Sequence, residues 1–175
     1  MGIAIAPMIV TLQLDKESQN YFNALRKRHF PKHINYVDTH VTLFYHLPSS
    51  EKAITRELEY SSERVGFEIE VTELYHTGFG VAFRLQSIEL IKLHGSLQES
   101  FNHWLTPQDR RIIQPHITIQ NKADAQESKE LYSELQKSFV PFKAIATGID
   151  TWLYQDGPWQ HTAFFGFKSR IKKSA

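Results

Sequence analysis

The chain has 175 residues, 41% of them hydrophobic and 22% charged, with a formal net charge of +1 and no cysteine. That length suits one domain with a real core, and the charge provides no global basic field of the kind that draws long nucleic acid non-specifically. Without thiols there are no disulfides, cysteine nucleophiles or thiolate metal sites, a composition that fits a reducing cytoplasm. The apolar run at residues 2–12 is too short to cross a bilayer and has no basic flank. Ala6 stands where a myristoylation signal needs Ser or Thr. We expect a soluble, untargeted, cytoplasmic protein without membrane attachment.

In chain order, residues 8–14 read as a β-rich run, and Asp15 is placed to cap a helix over 16–29 that Pro31 stops. An extended stretch at 39–47 ends at Pro48. Ser49 or Ser50 then caps a helix to about residue 64, with Ala53, Ile54 and Leu58 inward. Phe67, Ile69 and Val71 alternate with polar residues, and a turn near Thr77-Gly78 leads into Val81, Phe83 and Leu85. Leu90, Leu93, Leu97, Phe101 and Trp104 mark a helix from Ser87 to about residue 105. A polar loop with Arg110 and Arg111 precedes a short strand near 115–119. Asp124 and Glu127 resemble a capping box for a helix lined by Leu131, Leu135 and Phe139. Strands at 142–154 and 159–167 flank a turn at 156–158, and a basic tail, 168–175, is expected to fray.

Two of these stretches share one pattern. His40-Val41-Thr42-Leu43 and His116-Ile117-Thr118-Ile119 are each histidine, aliphatic, hydroxyl, aliphatic. With nine histidines, chance supplies such a tetrapeptide about 0.2 times in this composition, so two copies call for a cause. Alternation in a strand puts His40 with Thr42, and His116 with Thr118, on one face. The motif offset is 116 − 40 = 76, and the elements around each copy follow in the same order. We therefore expect an internal duplication, with lobes at roughly 16–86 and 87–167 and the N-terminal strand 7–14 outside them. The two histidines would then face each other across one cleft.

An imidazole titrates near pH ~6.5, so one ring can be neutral and the other protonated near neutrality. Such a pair suits acid–base work on a phosphodiester. Thr42 and Thr118 are placed to donate hydrogen bonds to the non-bridging oxygens, where charge builds up. Nothing in the sequence distinguishes the acid from the base. The same strand parity carries Phe44, His46, Gln120 and Lys122 toward the groove, and Arg84, opposite Phe83 and Leu85, joins them.

Here the chain resembles the two-histidine (2H) phosphoesterase superfamily, in its 2′-5′ RNA ligase-like branch. The likeness rests on HVTL at 40–43 and PHITI at 115–119, and extends to length, duplication and spacing. It implies an α+β bilobal fold: two pseudo-twofold-related antiparallel sheets, helices outside, and a central groove. It also implies His40 and His116 as the catalytic pair and Thr42 and Thr118 as phosphate ligands. The activity implied is opening of a cyclic phosphodiester, a 2′,3′-cyclic phosphate on a nucleotide or RNA end, to a monoester. Alternatives are ligation of RNA ends through a 2′-5′ bond and non-catalytic RNA or nucleotide binding. No cofactor and no metal are expected. The expected partner is a small cyclic nucleotide or an RNA terminus, taken as substrate by a monomer.

The remaining histidines have structural readings. Pro31 breaks the helix that a metal pair of His29 and His33 would need. His76 and His161 each precede a threonine and share no face with it, and His94 and His103 pack or solvate on a helix. Tyr75, Phe79, Trp152, Tyr154 and Trp159 are mostly core, with one or two open to base stacking.

Overall fold

The computed structural model describes residues 5–169. In order these form β1 (Pro7–Leu14), α1 (Lys16–His29), β2 (Val41–Pro48), α2 (Lys52–Ser61), β3 (Phe67–His76), β4 (Val81–Gln86), α3 (Ile88–Ser100), β5 (His116–Gln120), α4 (Ala125–Gln136), β6 (Phe142–Tyr154) and β7 (Trp159–Gly166). A short 3₁₀ turn, Lys32–Ile34, follows α1.

Helix starts obey side-chain capping. Asp15 Oδ1 accepts from Ser18 N at 2.9 Å, and its Oδ2 accepts from Ile145 N at 2.7 Å, so one carboxylate caps α1 and ties it to β6. Ser87 Oγ caps α3 through Leu90 N, and Asp124 caps α4 through Gln126 N and Glu127 N. The expected serine cap of α2 does not form. Glu51 occupies the cap position without a side-chain bond. Ser49 instead donates to Ala6 O at 2.7 Å, pinning the end of β2 beside the start of β1. α3 ends at Ser100, short of residue 105, and its stripe continues in turns, with Phe101 still buried.

All strand pairs are antiparallel, in the order β2-β1-β6-β3-β4-β5, with β7 also on β6. The expected two sheets are therefore one, because β6 is 13 residues long and serves two sets of partners. β1 lies along one edge of it. On the other edge β3 pairs with the 142–146 half and β7 with the 148–154 half. The fork closes where Phe167 N donates to Thr147 O and Val65 bridges Lys168. Lys168 also pairs with Glu63 at 2.7 Å, so it is tied down rather than frayed; residues 170–175 of the expected tail lie outside the described residues.

The halves of the sheet are not the halves of the chain. β2, with the first motif, joins β1 and the late strands β6 and β7, whereas β5, with the second, joins the early hairpin β3–β4. Helices are exchanged as well. α1 packs on β5, and α3 reaches β2 through His94, whose ring stacks 4.8 Å from Phe44 and whose Nε2 bonds Leu43 O. A division at residues 86 and 87 therefore cuts through both halves of the sheet. Phe22, Phe44, Phe83 and Phe101 are fully buried in one core, each contributing about 1.5–3 kcal/mol of burial. The outer strands of the path, β2 and β5, come back to within 8 Å of each other, Cα to Cα. Curvature thus brings the two motifs together. Among the described residues no helix is long and apolar enough to cross a membrane.

Candidate active site

Both motif strands bulge at the same place. Thr11 faces Thr42, but Val10 faces Phe44, leaving Leu43 as the extra residue in β2. Ala82 faces Thr118, but Val81 faces Gln120, leaving Ile119 as the extra residue in β5. Each extra residue is the fourth of its tetrapeptide, and a bulge of this kind shifts side-chain parity by one. Phe44 (0% exposed) and Gln120 (1%) consequently turn into the core. The expectation that they line the groove is corrected in both copies for one reason. His46 and Lys122 are exposed, Lys122 with a left-handed φ of 53°, and neither lines the two cavities described below. Arg84 stands opposite His116 in register and does line one of them.

His40 lies immediately before β2 and His116 begins β5. His40 Nδ1 is 2.8 Å from Asp38 O, and His116 Nδ1 is 2.9 Å from Gln114 O. Each partner is a carbonyl two residues back, which can only accept. Both Nδ1 atoms therefore donate, and each neutral ring keeps its free acceptor at Nε2. Around the first ring, Trp159 lies 4.6 Å away; around the second, Tyr75 lies edge-on at 6.4 Å. The pKa of His40 is pushed down to about 4, mainly by burial. Its bond to Asp38 opposes the shift, while the charges of Arg26 and His116 add to it.

Two cavities of similar size flank the pair. One, about 590 Å³, is lined by Thr42, Tyr45, Tyr75, Arg84, Arg111 and His116. Burial raises the pKa of both Tyr45 and Tyr75, so both hydroxyls keep their protons. Arg84 pairs with Glu73 at 2.7 Å and lies over the Tyr75 ring at 4.8 Å. The second cavity, about 560 Å³, is lined by His40, Asp38, Gln13, Asp150, Trp152 and His161. His161 Nε2 is 2.7 Å from Asp150 Oδ1, and Trp152 Nε1 donates to Thr11. Thr118 is half-buried and borders neither cavity.

Residues without a motif signal hold this arrangement. Buried Arg26 of α1 donates from Nη1 to Thr118 O at 2.9 Å and from Nε to Asn35. Burial draws its pKa down to about 10, against the charge of Asp38. On the other motif, His94 Nε2 donates to Leu43 O at 3.0 Å, satisfying the carbonyl at the bulge. Asp109, 3% exposed, accepts from both Tyr45 N and His46 N. It caps the open edge of β2 and fixes the loop that carries Arg111. Sequence spacing pointed to none of the three, because each acts through backbone atoms remote in the chain. Among the described residues no group of three or more His, Asp or Glu side chains is placed to hold a metal.

The profile of the 2′-5′ RNA ligase superfamily matches residues 14–158. TT0787 of Thermus thermophilus superposes with a TM-score of 0.65 at 15% identity, over 94% of this chain and 100% of that one. E. coli LigT complexed with 3′-AMP gives 0.59 at 17% identity, over 94% and 99%. A structure described as a phosphoesterase gives 0.58 at 15%, over 94% and 99%. These identities carry a likeness of fold. No curated protein matches the chain. The family profile runs through both histidine motifs, on a sheet that brings them together, and the chain belongs to the 2′-5′ RNA ligase superfamily of two-histidine phosphoesterases.

Proposed function

We propose that this protein opens a 2′,3′-cyclic phosphodiester, on a nucleotide or an RNA end, to a monoester. The observation that carries the reading is the matched pair of Nδ1 bonds, which gives both rings a usable Nε2. His40, neutral near pH 7 because its pKa is depressed, is the general base. Its Nε2 takes a proton from water as the water oxygen bonds to phosphorus. The bond from phosphorus to one ribose oxygen breaks, and protonated His116 gives its proton to that oxygen. Thr42 and Thr118 donate to the non-bridging oxygens as negative charge grows there.

The test is a panel of 2′,3′-cyclic nucleotides and RNA with a cyclic end, assayed with excess chelator. Turnover should persist, because proton transfer and charge stabilisation come from side chains. Separate detection of 2′- and 3′-monophosphates identifies the oxygen that leaves. No ring opening of any member, or activity that requires added zinc or manganese, defeats the reading. RNA halves supplied together test the reverse, joining reaction on the same groups.

A further inference from the structure

The two cavities differ in charge. At the His116 end stand two guanidiniums, Arg84 and Arg111, with the hydroxyls of Tyr45 and Tyr75. Of the nearby carboxylates, Asp109 is buried and committed to two backbone N–H groups, and Glu73 already pairs with Arg84 at 2.7 Å, so Arg111 carries most of the positive charge on offer. Arg110, next in sequence, is tied to Asn102 and does not line the cavity. At the His40 end stand the carboxylates of Asp38 and Asp150, and of Asp15, which is itself committed to two backbone N–H groups, with Lys16 the only lysine or arginine lining it among the described residues. Asp150 binds His161 Nε2, which must carry the proton, so a neutral His161 presents an acceptor at Nδ1. Gln13 also binds Asp150, at 3.2 Å, and the indole of Trp152 is oriented by its bond to Thr11.

An anion is favoured at the first end and repelled at the second. The second end instead offers hydrogen-bond acceptors and an aromatic face, which suit an uncharged group rich in donors. A nucleoside with a cyclic phosphate has two further parts: its base and its 5′ position. With the ring phosphate between the two histidines, the base fits the Trp152–His161 end, and whatever is bonded at the 5′ oxygen reaches the arginines.

We propose that the groove selects substrates carrying a second anionic group on the 5′ side of the cyclic phosphate, and that Arg111, with Arg84, is the residue set that recognises it. This rests on the reading of the groove as a phosphodiester site. It also separates an RNA 3′ end or a 5′-phosphorylated nucleotide from a plain cyclic mononucleotide. Arg111 determines specificity through charge and has no part in the proton transfers.

The test measures binding first, so that it does not depend on turnover. Titration calorimetry compares adenosine 3′-phosphate with adenosine 3′,5′-bisphosphate on the wild-type protein and on Arg111→Gln and Arg111→Glu. One charge-assisted contact predicts that wild type binds the bisphosphate about tenfold to a hundredfold more tightly. The preference should shrink in Arg111→Gln and vanish or invert in Arg111→Glu. Arg111 is exposed in a loop, so these variants should fold as wild type does. Equal affinities in wild type, or an unchanged preference in both variants, overturn the proposal. Turnover of adenosine 2′,3′-cyclic phosphate, assayed alongside, speaks separately. A retained binding preference without ring opening upholds this inference and removes the hydrolase.

Discussion

Arg26 Nη1 lies 2.9 Å from the carbonyl oxygen of Thr118, so the first helix holds the second motif by its backbone. The same guanidinium is close enough to His40 to help depress its pKa. One buried cation thus acts on both halves of the candidate site, on one through a hydrogen bond and on the other through its charge.

Arg26→Met should therefore have two separable effects. Losing the bonds to Thr118 O and Asn35 Oδ1 should cost about 1–3 kcal/mol of stability. His40 should titrate above its present value of about 4, because a positive neighbour that opposed protonation is gone. The rise should be partial, since burial is the larger cause. Proton NMR of the imidazole reads the shift directly, and an unchanged His40 titration would refute the link.

Both threonines should respond to loss of the hydroxyl. Removing either hydroxyl, by Thr42→Ala or Thr118→Ala, should lower turnover by roughly tenfold to a thousandfold if it steadies phosphate charge. Thr→Ser keeps the donor and should be milder. Equal damage from Ala and Ser at either position would reassign that threonine to packing.

Alternation located the histidines and threonines because they precede the bulges. It failed one step later, at Phe44 and Gln120, because an inserted residue leaves no mark in a run such as Leu43-Phe44 or Ile119-Gln120. A repeated order of elements was legible. The exchange of strands was not, since pairing depends on where β1 and the long β6 insert, and both copies read alike whichever hairpin they join. Arg26 and Thr118 are 92 positions apart, and a side chain that serves a distant backbone carbonyl has no local pattern. Arg84 keeps the face that alternation gives it because the β4–β5 irregularity lies at the far end of the strand.

Gly80 tests the second bulge. A Cβ there would run into the Gln120 carbonyl oxygen, with Asn121 Cα also too close. Gly80→Ala should push β4 from β5, costing about 1–3 kcal/mol, and should lower activity by moving Thr118. The midpoint of chemical denaturation reads the first effect. A neutral substitution would mean that the bulge yields freely and does not hold the threonine in place.

The histidine pair gives the most discriminating prediction. His40→Ala and His116→Ala should each reduce turnover by roughly 10²–10⁴-fold, with little change in melting temperature, because both side chains are only partly buried. Activity requires neutral His40, so kcat/KM should fall as pH drops through about 4, well below the usual imidazole range. Stability should move with the same group. Below 6.5 the unfolded chain protonates this imidazole while the folded one resists until about 4, so folding weakens progressively across that window. His40→Gln should remove that share of the acid sensitivity. A substrate with a very good leaving group needs no general acid, so it should largely rescue His116→Ala and leave His40→Ala impaired. Rescue of His40→Ala instead would reverse the two roles. A flat pH profile with both single variants near wild type would remove the histidines from the chemistry altogether.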